Sequence, residues 1–148
     1  MRRKTPVFNS ELHDEKTFYR AFLKDLEDCR KEVIIESPYV SSARMKTLKP
    51  IFERLINIGV KVFVITRDPR EHEVQSEEEI QYFETLGVQV LLCVGNHHRK
   101  LAILDRKVLW EGSLNILSQT HSREIMRRIN NTDLTLEMFN FLKLNKVL

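Results

Sequence analysis

The chain has 148 residues, 24 of them lysine or arginine and 21 aspartate or glutamate, for a formal net charge of +3. That length suits one domain over 1–148 with a core of its own and leaves no room for two. A hydrophobic content of 42% beside 30% charged residues excludes a disordered chain, and four glycines and four prolines exclude a linker or a collagen-like repeat.

No apolar run approaches the roughly 18 residues of a membrane span, so membrane insertion is not expected. The basic start, Met1-Arg2-Arg3-Lys4, is not followed by the apolar stretch of a signal peptide, and a cytoplasmic location is the expectation. The two cysteines, Cys29 and Cys93, sit in unrelated contexts, at a helix end and in a strand, and read as reduced thiols rather than a disulfide. Cys93 with His97 and His98 offers part of a ligand set that no second cluster completes, so no metal and no cofactor is implied.

In chain order, Phe18, Ala21, Phe22, Leu26 and Cys29 recur at helical spacing, and Val33-Ile34-Ile35 is a short apolar run read as a buried strand. Met45, Leu48, Phe52, Leu55 and Ile56 return to helical spacing up to Gly59; Pro50 either kinks this helix or marks its first turn. Val60 to Ile65 is a second strand, Glu77 to Leu86 a helix stopped by Gly87, and Val88 to Val94 a third strand. This alternation predicts an α/β fold, with a mixed, mainly parallel sheet flanked by helices on both faces. The rhythm then changes. Leu101 to Leu104 and Val108 to Trp110 flank Asp105-Arg106-Lys107 as a hairpin, Ile125 and Ile129 suggest another strand, and Leu134, Met138, Phe139 and Leu142 suggest a closing helix capped by Asn131 or Thr132.

The chemistry concentrates in the hairpin. His98 and Lys100 are two apart, so in an extended segment they project from one face. A turn about Asp105-Arg106 would set Lys100 opposite Glu111 and His98 opposite Ser113, with Asn115 two residues further along. Gly112 would leave room for a ligand to approach the backbone. Lysine supplies a point charge, serine and asparagine neutral donors, and histidine a base or nucleophile. Convergent donors without a carboxylate pair suit a phosphoryl oxyanion, with lysine as the charge stabiliser. Taken singly, each of these residues reads as an ordinary polar strand, turn or cap residue.

Together, His98-Arg99-Lys100 through Asp105 and Gly112-Ser113-Leu114-Asn115 resemble the HxKxxxxD…GSxN signature of the phospholipase D superfamily. The runs Val33 to Pro38 and Gly59 to Arg67 are similar to the first strands of that fold, so the resemblance covers nearly the whole chain. It implies hydrolysis or transfer of phosphodiesters through a covalent phosphohistidine, without a metal, on substrates from phospholipids to DNA. Carried over by position, His98 would be the nucleophile, Lys100 and Asn115 would bind phosphate oxygens, Ser113 would assist, and Asp105 would be structural. Glu124 stands where relatives often carry a glutamate that orients the catalytic imidazole; a surface strand residue is the other reading.

Relatives with two motifs per chain supply both histidines that the reaction needs; this chain has one. His97 points to the opposite face, and His13, His72 and His121 lack the motif. A homodimer with a shared active site would complete the pair. Single-motif relatives are small homodimeric nucleases, and similar segments close helicase-like proteins, so nucleic acid is the expected substrate and a helicase-like protein a conceivable associate. A non-catalytic dimerisation or nucleic-acid-binding module, or a phospholipase or other small-molecule phosphodiesterase, are the alternatives. Arg44, Arg67 and Arg70 follow the first two parallel strands, where α/β sheets place ligands; they would track a phosphate backbone or sit in solvated loops. Arg123, Arg127 and Arg128 offer at most one free basic face, and Trp110, Phe139 and Phe141 read as core.

Overall fold

A computed structural model describes residues 9–71, 77–118 and 121–148. The basic start at Met1–Lys4, and His72, lie outside these. The strands are β1 (Asn9–Asp14), β2 (Glu32–Glu36), β3 (Lys61–Arg67), β4 (Gln89–Cys93), β5 (Leu101–Leu104), β6 (Val108–Gly112) and β7 (Ile125–Asn130). The helices are α1 (Phe18–Glu27), α2 (Ser42–Asn57), α3 (Glu77–Leu86), α4 (Thr132–Phe141) and α5 (Leu144–Val147).

All seven strands join in one sheet of order β1-β7-β6-β5-β2-β3-β4. The mixed α/β class is as expected, but the balance of strand directions is not: parallel pairing is confined to β2-β3 and β3-β4, and the other four pairings are antiparallel. The difference lies in the second half of the chain. There no helical crossover joins successive strands: β5 and β6 form a hairpin, and β5 returns beside β2 and β7 beside β6 in the antiparallel sense. β1 is a further strand that periodicity does not reveal. Its residues, NSELHD, are mostly polar, and it forms only by pairing with β7 along the edge.

Alternation along the strands divides the core into two layers. One holds Val33, Ile35, Ala102, Leu104 and Trp110 under α1, α2 and α3, with Phe18, Phe22, Leu26, Leu48, Phe52 and Phe83 as the large helical contributions. The other holds Ile34, Phe63, Ile65, Ile103, Leu109 and Ile129, covered by Phe139 of α4 and Leu144 of α5. Helices thus cover both faces. Trp110 is fully buried against Phe18 and Phe22, and its indole Nε1 donates to Asp25 Oδ2 at 2.8 Å. Arg128 donates to the same carboxylate through Nε at 2.7 Å and Nη2 at 3.0 Å, which ties α1 to β7. Phe139 is core as expected; Phe141 is not, being 79% exposed on the outer side of α4.

Pro50 lies inside α2 rather than in its first turn. Both cysteines are free thiols, and burial, then the nearby Asp105 carboxylate, push the Cys29 pKa up to about 12. No helix among the described residues is long and apolar enough to cross a membrane.

Candidate active site

The register of the site is set at the far end of the β5–β6 hairpin, where it closes. Asp105 and Arg106 both adopt positive φ, at 51° and 53°, so the turn takes three residues and Leu104 pairs with Val108. This corrects the expected register by one. Leu101 faces Glu111, and Lys100 comes opposite Gly112, whose amide donates to the Lys100 carbonyl at 3.3 Å. Aspartate tolerates the left-handed region but arginine rarely adopts it, and with no glycine in the turn the sequence does not announce its length.

Asp105 explains the strained turn. Its carboxylate accepts from the backbone amides of Arg30 (2.9 Å), Lys31 (2.8 Å) and Glu32 (2.9 Å). These are the three amides at the entrance to β2, so the aspartate welds hairpin to strand. Arg106 closes the same corner through a 2.9 Å ion pair with Glu32.

Gly112 has a different reason from the one its neighbours suggest. A Cβ there would stand 2.1 Å from the Ile125 carbonyl oxygen and 2.9 Å from the Met126 Cα, so β7 backbone, not a ligand, excludes a side chain. Close passage of β7 also fixes Ser113. Its amide donates to Ile125 O at 2.9 Å, and its Oγ accepts from Ile125 N at 3.0 Å and donates to Ile125 O at 3.4 Å.

Beyond Ser113 the chain dives under the loop after β2. Leu114, Ile116 and Leu117 are buried, Leu117 N donates to Ser37 Oγ at 3.2 Å, and Ser41 N donates to Leu117 O at 2.9 Å. Asn115 lies between these anchors. Tyr19 Oη donates to the Ile116 carbonyl and lies 3.4 Å from the Asn115 and Ser118 carbonyls. The Asn115 Oδ1 is buried with no hydrogen-bond partner among the described residues.

His98 is exposed, and Lys100 is half-buried with Nζ donating to the His98 carbonyl at 3.2 Å. Lys100 and Gly112 are thus hydrogen-bonded neighbours at one end of the sheet. Ser113 and Asn115 continue from Gly112, and His98 stands two residues before Lys100. Glu124 is half-buried at the start of β7; its amide donates to Glu15 Oε1 at 2.9 Å.

The flanking arginines have separate surroundings. Arg44 stacks on Tyr19, 3.2 Å from the ring centroid, beside the Asn115 loop. Arg67 is only 5% exposed and donates to Tyr39 Oη at 3.0 Å. Arg70 is exposed but paired with Asp68 at 2.7 Å. Arg44 is the one next to the Asn115 loop. Arg67 and Arg70 hold intramolecular partners.

Sequence reasoning missed two residues. Tyr19 shapes the Asn115 loop, and nothing in its helical spacing announces that. Glu36 is fully buried at the end of β2. Its signal was present as a carboxylate closing the apolar run Val33-Ile34-Ile35, since such residues are rarely buried without a partner.

A sheet of this order, with a histidine–lysine segment leading into β5 and a glycine–serine turn leaving β6, defines a phospholipase D-like protein. The sequence profile described as "Cardiolipin synthase, PLD-like domain" matches residues 22–143, and the chain belongs to that family. No curated protein shows significant similarity to the chain. Among solved structures, NucT from Helicobacter pylori superposes with a TM-score of 0.73 at 17% identity over 93% of this chain and 94% of that one. Nuc from Salmonella typhimurium, a phospholipase D family member, gives 0.73 at 16% identity over 93% of each. TrmBL2, an archaeal chromatin protein with a novel mode of DNA binding, gives 0.63 at 13% identity over 96% of this chain and 55% of that one. At these identities the likeness is one of fold. The superfamily is one of phosphoryl transferases and hydrolases, nucleases and synthases among them.

Proposed function

We propose that the protein is a phosphodiesterase acting on nucleic acid, an endonuclease that works as a homodimer through a covalent phosphohistidine and without a metal. The observation that supports this reading is the hydrogen bond from the Gly112 amide to the Lys100 carbonyl at one end of the sheet, with His98 two residues before Lys100 and Ser113 and Asn115 following Gly112, while Asp105 of the same motif anchors the far end of the hairpin. In the reaction a His98 ring nitrogen attacks phosphorus, an N–P bond forms and the P–O bond to the leaving strand breaks. The second copy of His98, from the partner subunit, begins protonated and gives its proton to the departing oxygen. It then takes a proton from water, whose oxygen attacks phosphorus and releases the first imidazole. Lys100 and the Asn115 carboxamide face the non-bridging oxygens, where charge grows in the transition state. Glu124 orients the His98 ring and Ser113 assists at the phosphate, while Arg44 extends the contact along the backbone.

Mild basicity and an exposed His98 favour an extended polyanion over a lipid headgroup within a bilayer. A helicase-like associate would fit the same reading by presenting opened strands to an exposed site, and the reading takes the protein to be cytoplasmic. The test is cleavage of plasmid and single-stranded DNA in EDTA, with His98→Ala as the control. Cleavage lost in the variant supports the reading; cleavage unaffected overturns it.

The likeness to a DNA-binding chromatin protein favours one second reading, a module that binds nucleic acid and turns nothing over. It predicts a gel shift with no hydrolysis on long incubation. Hydrolysis of a chromogenic phosphodiester or a phospholipid, with DNA intact, would move the substrate class instead.

A further inference from the structure

Between the end of β4 at Cys93 and the start of β5 at Leu101 the backbone is neither helix nor strand, yet it carries His98 and Lys100. Something other than a ladder must fix which way the two side chains point. Residues in an extended segment alternate, so His97 and Arg99 project to the face opposite His98 and Lys100. Both meet one carboxylate there. Arg99 Nη2 donates to Glu36 Oε1 at 2.7 Å, and His97 Nε2 lies 3.5 Å from the same oxygen.

Glu36 is itself immovable. Its side chain is fully buried, and its backbone pairs with Ile65 of β3 on one side and Leu101 of β5 on the other. It therefore reaches the loop from a strand paired on both sides.

We propose that Glu36 is a positioning residue for the candidate active site: from the reverse face it holds Arg99 by a charged hydrogen bond, with the His97 ring packed beside the same oxygen, and so aims His98 and Lys100 at the phosphate. The proposal rests on the reading of His98 as nucleophile. The grip is not there for stability. Burying a carboxylate is unfavourable unless every lone pair is satisfied, and Glu36 Oε2 has no hydrogen-bond partner among the described residues. Arg67 of β3 and Cys93 of β4 complete the ionisable surroundings, and neither supplies that missing bond. A group held at such a disadvantage, directly behind a nucleophile that lacks a strand to hold it, marks a functional constraint.

The experiment compares wild type, Glu36→Gln, Arg99→Met and Arg99→Lys on a single-stranded DNA oligonucleotide in EDTA, with amide hydrogen exchange on the same samples. Loss of aim by even a fraction of an ångström lowers kcat about tenfold or more while KM stays put, because Lys100 acts on charge that grows only in the transition state and Ser113, Asn115 and Arg44 still hold the substrate. Glu36→Gln and Arg99→Met are therefore expected to lose kcat, to leave KM and its salt dependence unchanged, and to exchange faster over residues 94–100 but not in β2. Arg99→Lys, which keeps a cation facing the carboxylate, is expected to recover most of the rate. Arg99 is half exposed, so its variants report even if Glu36→Gln fails to fold.

Unchanged kcat and unchanged exchange in both Glu36→Gln and Arg99→Met overturn the proposal. A rise in KM with a shallower salt dependence in Arg99→Met, and no effect in Glu36→Gln, overturns it too, since Arg99 would then be a phosphate contact. Should wild type cleave no nucleic acid at all, the nuclease reading fails, and the exchange data alone decide the grip: faster exchange over 94–100 supports it and no change refutes it.

Discussion

Glu36 is the side chain in which stability and position pull against each other most plainly. Burial pushes its pKa up, and attraction to Arg99, together with the hydrogen bond from its guanidinium, opposes that without cancelling it. A carboxyl whose folded pKa lies above its unfolded one contributes stability that is complete below the ordinary glutamate value of 4.5 and is lost as pH rises through the folded value. Wild type and Glu36→Gln should therefore unfold with similar free energies below that value. Above it wild type should become the less stable of the two, and remain so at neutral pH. Urea unfolding of both proteins from acid to neutral pH measures the difference; a wild type that gains on the variant as pH rises would sink the argument. His97 works the other way: burial, then the positive charge of Arg99, holds its pKa below the usual histidine value, so its contribution is present above that value and lost as pH falls through the lowered one. The two opposing slopes make the difference between the variants, rather than the whole acid transition, the quantity to read.

At the scale of elements, the β5–β6 hairpin shows what could be read in advance and what could not. Both strands, and the helix cap at Asn131, follow from apolar runs and turn residues; Asn131 Oδ1 accepts from Leu134 N at 2.9 Å as a cap should. The register did not follow, because it depends on two left-handed residues that are neither glycine nor asparagine. Those residues adopt that conformation only because Asp105 is bonded to three amides some seventy-five positions earlier in the chain. Long-range bonding likewise hides β1, which has polar residues and a strand partner at the far end of the sequence. The motif survived the one-residue slip because a motif is a set of spacings, while a facing pair is a claim about a turn. Asp105→Ala leaves three amides at the β2 entrance without an acceptor and removes the reason for the left-handed turn. A loss of about 1–2 kcal/mol is expected, since the Arg30 and Lys31 amides lie at exposed residues and regain water, and only the half-buried Glu32 amide bears the penalty of an unsatisfied donor. Chemical denaturation checks the figure. Asp105→Asn keeps one carbonyl acceptor and should fall between the two; a variant as stable as wild type would mean that water replaces the carboxylate freely.

For the molecule as a whole, the question is where a second imidazole comes from. His13 hydrogen-bonds Thr17 through Nδ1 at 3.1 Å and packs against Trp110, and His97 is turned toward Glu36 on the reverse face. The first is engaged by Thr17 and Trp110, the second is half-buried beside Glu36 away from His98, and His98 is exposed, open to a copy of itself across a two-fold axis. A composite site makes a quantitative prediction that a self-sufficient protomer does not. Let wild type and His98→Ala subunits be mixed in equal amounts and allowed to exchange. If both histidines of a dimer are needed, only dimers of two wild-type chains cleave, and those are about a quarter of the total after random pairing. Activity per wild-type chain then halves, and it falls further as the inactive partner is added in excess. If each protomer acts alone, activity per wild-type chain is indifferent to the mixture. The same dependence appears on dilution, because a shared site is lost when subunits part, so specific activity should fall once the protein concentration drops below that of dimer dissociation. The pH profile supplies the third face of the argument. One imidazole must start neutral and the other protonated, so kcat should be bell-shaped, with both limbs belonging to the pair rather than to either ring. Linear titration by the dead subunit, with a sedimenting species of one chain that still cleaves, would place both acid and base within a single polypeptide and remove the need for a partner.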